Sequence, residues 1–281
     1  MATVRLDDRA VIDVHGADAE HFLQNLITTD IDALNETELG VGALLTPQGK
    51  ILFDFLVSRN GEGFRLDCRA ATAGDLLRRL TLYKLRARVE ISVCEESVVS
   101  VSWGDDSPAS SGLTDNRFAD ITVTRAYGTD APRADRDAAD WRTLRIAHGI
   151  GESGEDYELG DAFPHDVLFD QNGGVSFTKG CFVGQEVVSR MQHRGTARRR
   201  LLIATGSADL PPPGTVISAG GRAIGTLGSV AANKGLAMVR IDRVARAVAD
   251  GEPVTAGETA IMLAIPAWAG FDFPRPETEE S

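Results

Sequence analysis

Cysteine is scarce. Three residues, at 68, 94 and 181, are spread over 281 positions, and none forms a CxxC pair. An odd, scattered set excludes a disulfide framework. It also falls short of the four thiolates that typically hold a resident iron–sulfur cluster. The chain therefore reads as a reduced, cytoplasmic protein. Basic charge is in deficit: 29 Lys and Arg face 41 Asp and Glu, for a net charge of −12. That balance excludes non-specific coating of nucleic acid, which rests on a basic footprint. Long apolar runs are missing too. The longest near the C-terminus, residues 260–271, is broken by Pro266 and is well short of the ~20 residues needed to cross a bilayer. MATVRLDDRA is charged within five residues, so no secretory leader is expected. The sequon-like Asn35-Glu-Thr37 then has no secretory context. The five histidines show neither HExxH nor paired metal spacing, and no metal site is expected from them.

What is present is an ordinary folding composition, 43% hydrophobic and 25% charged, which excludes a mostly disordered chain. At roughly 100–200 residues per domain, the length predicts about two domains. Residues 10–14 alternate as a strand. Asp18 is placed to cap a short helix with Phe22, Leu23, Leu26 and Ile27 on one stripe. Residues 41–58 read as two strands around the turn Pro47-Gln-Gly-Lys50, and Asn60-Gly61 marks a hairpin into FRLDC. Thr72 and Asp75 form a capping box for a helix burying Leu76, Leu77, Leu80 and Tyr83. Strands over ARVEISVC, SVVSVSW and ADITVTRAY follow, then a helix over 137–148. From Arg199 the texture changes to short β-rich runs separated by Gly and Pro, the pattern of a small antiparallel barrel or sandwich. The fold class is α+β, with a boundary near residue 200.

Gly149-Ile-Gly-Glu-Ser-Gly154 fits the dinucleotide fingerprint, but it follows a helix and is ringed by Glu152, Glu155, Asp156 and Glu158. Such acids repel phosphate, so this is a helix-ending loop. The informative stretch is VSFTKGCFVGQEVVSRMQHRGTARRRL, residues 175–201. Cys181 stands two residues from Lys179 and just ahead of a helix starting near Gln185-Glu186. Both neighbours favour thiolate and predict a lowered pKa. Gly180 and Gly184 permit tight turns or close approach of a ligand. A buried cysteine in a β-to-α turn explains the same residues, and the sequence leaves both readings open. Cys68 and Cys94 sit in strand patterns and read as core. Five arginines (190, 194, 198, 199, 200) against one glutamate between 186 and 200 suit an anionic ligand, an acidic partner or a solvated surface. Trp141, Arg145 and His148 share one helix stripe. They suit a flat heteroaromatic ligand bearing a carboxylate, or a core helix closed by a salt bridge.

KGCFVGQEVVSRMQHRG resembles the signature of the YgfZ-type folate-binding proteins, K-G-C-Y-x-G-Q-E followed by R and R-G. LTPQGKILFDF is similar to that family's N-terminal strand–turn–strand, WRTLRIAHGI to its tryptophan-bearing helix, and the β-rich end to its C-terminal barrel. The resemblance spans most of residues 6–265. It implies the fold of the glycine-cleavage aminomethyltransferase (T-protein), with three domains around a central tetrahydrofolate site. The corresponding division is 1–110 (folate-binding), 111–199 (carrying the KGC motif), 200–270 (barrel) and 271–281 (flexible tail). It further implies a role in assembling or repairing iron–sulfur proteins, including tRNA-modifying enzymes. Carried over by position, Cys181 is the reactive or ligand-exchanging thiol. Lys179, Gly180, Gly184, Gln185 and Glu186 complete its turn, Trp141 stacks a pterin, and Arg190 lies beside the site. Arg145 is our own inference for the folate carboxylate. Phe182 replaces the usual tyrosine, and Arg9 stands where some members place a second stacking tryptophan. The leading reading is a folate-binding accessory factor whose partners are reduced folate and iron–sulfur assembly or client proteins. A tetrahydrofolate-dependent aminomethyltransferase using Asp75 is the second, and a tRNA-binding module using the 190–200 arginines the third.

Overall fold

Hydrophobic alternation makes most of the strands, and chain order decides where the sheets close. The computed structural model describes residues 1–94, 98–104, 112–128 and 131–274. The chain divides into two compact units, Met1–Asp140 with Asn172–Ser189, and Trp141–Gln171 with Arg190–Ser281. No helix among the described residues is long and apolar enough to cross a membrane.

In the first unit, β1 (Ala2–Arg5) and β2 (Arg9–His15) precede the short helix α1 (Ala19–Gln24). A meander follows, β3 (Glu38–Leu45), β4 (Ile51–Asn60) and β5 (Gly63–Arg69), then α2 (Ala70–Lys84). β6 (Glu90–Val93), β7 (Val99–Trp103), β8 (Leu113–Asp115) and β9 (Val123–Tyr127) complete it. These strands form one nine-stranded sheet in the order β1-β7-β9-β8-β3-β4-β5-β2-β6. Its halves meet where β3 pairs parallel with β8, Glu38 opposite Thr114 and Leu39 opposite Asp115. Ile12, Val14, Phe55, Val57, Phe64 and Leu66 from the sheet pack against Phe22, Leu23, Leu76 and Leu80 from the helices. Each such burial contributes about 1.5–3 kcal/mol. Leu26 and Ile27 join the same core from the loop after α1, not from the helix itself.

The chain crosses between units within α3 (Ala138–Ala147) and α4 (Gln185–Arg194). The second unit holds β10 (Arg199–Gly206), β11 (Val216–Ala219), β12 (Arg222–Ala231), β13 (Lys234–Arg240), α5 (Ile241–Asp250), β14 (Val254–Ala256) and β15 (Thr259–Ala264). They close a barrel in the order β10-β13-β12-β11-β14-β15, sealed where Ile203 lies opposite Ala264 and Gly206 opposite Ile261.

Four expectations need correction. A boundary at 110/111 would cut a sheet in which β7 pairs with β9 over Val99–Trp103; the chain instead regroups at 140, 171 and 189. Phe271 and Phe273 pack on the barrel core, so a free tail does not begin at 271; residues 275–281 of the expected tail lie outside the described residues. The Thr72–Asp75 capping box does not form. α2 starts at Ala70, the Thr72 hydroxyl donates to the Arg69 carbonyl, and Asp75 pairs with Arg78. Asp18 sits at the N-cap of α1 without capping it; its carboxylate accepts from the Arg88 amide and guanidinium instead.

Candidate functional site

Two separate sequence motifs meet in the first unit. In the turn after β3, the Gly49 amide donates to the Thr46 carbonyl at 2.9 Å and the Thr46 amide to the Lys50 carbonyl at 2.8 Å. Gly49 has φ +79° and Gly184 φ +80°, both in the region that favours glycine. The two backbones approach so closely that a Cβ on Gly184 would lie 3.1 Å from Gly49 Cα, and 2.5 Å from the Thr46 oxygen. A Cβ on Gly49 would in turn lie 2.9 Å from Val187 Cβ. The Pro47–Lys50 turn therefore buttresses the start of α4, and this is the structural reason for the second glycine of KGCFVGQE.

The other flank is held by Lys179. Its ammonium, only 9% of the residue being exposed, donates to the carbonyls of Ile27 at 2.8 Å and Thr29 at 2.6 Å. It also stands 5.4 Å from the centre of the Phe182 ring. Between those carbonyls, Thr28 exchanges backbone hydrogen bonds with Ala43 and Ser176: its amide donates to Ala43, and its carbonyl accepts from Ser176. Its hydroxyl donates to the Gly174 carbonyl at 2.6 Å and accepts from the Ala43 amide at 2.8 Å. Burial lowers the Lys179 pKa to about 8, against the raising effect of Asp30 and Asp32.

Cys181 lies between these two anchors and is exposed. The reading of a buried turn cysteine is thereby overturned for Cys181, whereas Cys68 is buried and its thiol is pushed up to about 12 by that burial. Of the two expected sources of positive field, Lys179 points its charge at the 27–29 carbonyls, while α4 begins at Gln185 as expected. Gly180 is open: a Cβ there would meet nothing within 4 Å. Gln185 and Glu186 form the first turn of α4, and Arg190 is exposed further along it. The site is thus a solvent-facing thiol on a backbone fixed on both sides. Such a sulfur can take a coordination position on a soft metal ion or exchange with another thiol.

The residues assigned to the pterin and its carboxylate belong to the second unit, and they are occupied. Trp141 is 4% exposed, so its ring offers no open face. Arg145 is buried in an acidic cage. It donates to Asp156 at 3.0 Å, Glu155 at 2.8 Å and the Ile150 carbonyl at 2.7 Å, and Glu152 stands 3.5 Å away. Burial opposes its charge while Glu152, Asp156 and Glu155 sustain it, and its pKa rises. The salt-bridged core helix is the arrangement found. Three of the four acids of the GxGxxG-like loop read as repelling phosphate, Glu152, Glu155 and Asp156, are the partners of this arginine. Of the arginine cluster, Arg199 pairs with Asp161 and Asp166. Arg200 pairs with Asp170 and lies 4.7 Å from the Phe271 ring centre. Those two are structural.

Arg9 is also engaged. It donates to the Asp67 carboxylate at 2.6 Å and the Asp67 carbonyl at 2.7 Å. Asp67 further binds Arg125 and the Tyr127 hydroxyl. Asp115 continues the chain between Arg125 and Arg117. Burial raises the carboxyl pKa values in this network, but the arginines outweigh it, holding Asp67 below the usual range and Asp115 at about 2. Sequence reading missed this network because its members are far apart along the chain.

A family model described as "CAF17, C-terminal beta-barrel domain" matches residues 198–271, the barrel strands and the segment that follows them. A mitochondrial IBA57 homologue of Pyricularia oryzae, named an iron–sulfur cluster assembly factor, is 30% identical over 294 aligned positions, covering 90% of this chain and 75% of the relative. The chain belongs to the IBA57 and YgfZ family. Human mitochondrial IBA57 is 29% identical over 86% of this chain and 78% of its own length. The "tRNA-modifying protein YgfZ" of Edwardsiella ictaluri is 29% identical over 75% and 73% respectively. In three dimensions the chain resembles the glycine cleavage aminomethyltransferase T of Bartonella henselae. The TM-score is 0.73 at 16% identity, over 95% of this chain and 85% of that one. At that identity the likeness establishes the fold, and the expected T-protein-like architecture is present. The cytoplasmic assignment does not stand, since IBA57 members of the family are labelled mitochondrial. Cysteine usage reports redox state, and a reducing environment is not unique to one compartment.

Proposed function

We propose that this protein is an assembly factor for iron–sulfur proteins, acting through the exposed thiol of Cys181. Membership of the IBA57 and YgfZ family across 90% of the chain carries the reading. The geometry of the KGC loop supports it. The Cys181 sulfur replaces one donor thiolate on the iron of a cluster in transit, its proton passing to the thiolate that leaves, and the remaining ligands come from the donor or recipient protein. The cluster is cargo here, and the clients include enzymes that modify tRNA. The test is expression of this chain in cells lacking their own relative. Recovered activity of iron–sulfur enzymes supports the proposal; folded protein without recovery contradicts it.

Reduced folate is the ligand class that the family resemblance implies. The residues assigned to it do not fit it, because Trp141 is covered and Arg145 is saturated by acids. Calorimetric titration with tetrahydrofolate separates the two matters: saturable binding adds the ligand by way of other residues, and its absence leaves the thiol chemistry untouched. One-carbon transfer through Asp75 has little support, since that carboxylate is paired with Arg78 on the exposed side of α2.

A further inference from the structure

In a chain of net charge −12, residues 78–88 contain five cations, Arg78, Arg79, Lys84, Arg86 and Arg88, and no acid. They surround the C-terminal end of α2. Arg78 and Arg88 pair with Asp75 and Asp18. Arg79 and Arg86 are exposed and Lys84 is half-buried. Two leucines stand among them in water, Leu82 at 69% exposure and Leu85 at 88%. The other face of the helix is spent on the core through Leu76 and Leu80. Attraction to the helix C-terminus accounts for Lys84, but not for the leucines. Leu85 is the C-cap residue with φ +46° and ψ −107°, a conformation that suits glycine. Neither packing nor backbone preference explains a leucine at that position. Strained backbone of this kind clusters at ligand clamps, active sites and switch regions.

We infer that the end of α2 is a docking surface for an acidic protein partner carrying an apolar anchor, with Leu82 and Leu85 as the greasy centre and Arg79, Lys84 and Arg86 as the charged rim. An apolar centre with a charged rim is the anatomy of a protein interface, and the cations steer an acidic surface toward it. A symmetric pairing of two copies would set these cations against each other. A head-to-tail pairing on the acidic remainder of the chain would build rings or filaments rather than a closed pair. Nucleic acid is disfavoured because the exposed centre is aliphatic rather than aromatic and offers no base-stacking platform.

The test uses the whole chain and a labelled synthetic peptide helix with glutamates on one face and leucines on the other. The wild type is compared with Arg79→Glu/Arg86→Glu and with Leu82→Ser/Leu85→Gly, all checked by thermal melting. Leu85→Gly relieves the backbone, so folding is retained. Binding is expected to weaken with salt, to fall about tenfold or more on charge reversal, and to fall in the leucine variant as well. Cys181→Ser is expected to bind normally, which separates this surface from the proposed thiol function. The inference is overturned if the peptide does not bind or binds all variants alike. It is equally overturned if tRNA, phosphatidylserine vesicles or a second copy of the chain occupies the patch in preference to the peptide.

Discussion

At the residue scale, two kinds of buried charge each add stability as pH rises, in separate windows. Lys179 satisfies two carbonyls that would otherwise be orphaned. Lys179→Met should therefore destabilise the protein by about 1–3 kcal/mol and loosen the loop carrying Cys181. Hydrogen exchange should speed up over residues 26–30 and 176–184. The folded pKa of Lys179 is lowered to about 8 from the ordinary 10.5. The unfolded chain then binds more protons between those values, so this residue's contribution to stability should rise as pH climbs from 8 to 10.5. The difference in denaturation midpoint between wild type and Lys179→Met should widen across that window. Asp115 has the same sign in a lower window. Its folded pKa is depressed to about 2 from 3.8, so its stabilisation is present above 3.8 and disappears as pH falls through 2. Arg125→Met leaves Asp67 and Asp115 short of a partner. It should cost about 3–5 kcal/mol, measured by chemical denaturation near neutral pH.

At the scale of elements, the KGC loop depends on two glycines in different ways. Gly184→Ala combines a positive φ with a Cβ 2.5 Å from the Thr46 oxygen. It should lose at least about 1–2 kcal/mol and move the start of α4. Gly180→Ala meets no atom within 4 Å and should leave stability within about 0.5 kcal/mol. Loss of enzyme support in that variant with an unchanged Tm would show that the space above Gly180 belongs to a partner. The strands were legible in the sequence because alternation and turn residues coincide, as in VGALLT–PQGK–ILFDFLVS. α5 was not: LAMVR runs straight into IDRVARAVAD, with no breaker between strand and helix. Its signal was the helical repeat of Ile241, Val244 and Ala245, all buried. The α2 start was misplaced because Thr72 and Asp75 satisfy a spacing rule that Ala70 and Ala71, good helix formers, make unnecessary. At the site, the cysteine and its glycines were legible from spacing. The aim of Lys179 and the cage around Arg145 were not, since each depends on groups brought together only by folding.

For the whole molecule, the family relationship and the fold agree, and the proposed chemistry rests on one exposed thiol. The three cysteines are in different environments, one buried, one half-buried and one exposed, and this makes them controls for each other. The most direct measurement is the activity of iron–sulfur enzymes in cells lacking their own relative and supplied with wild type, Cys181→Ser or Cys94→Ser. Equal accumulation and equal Tm of the three proteins would first be established. The account predicts rescue by wild type and Cys94→Ser, and none by Cys181→Ser. Full rescue by Cys181→Ser would contradict it.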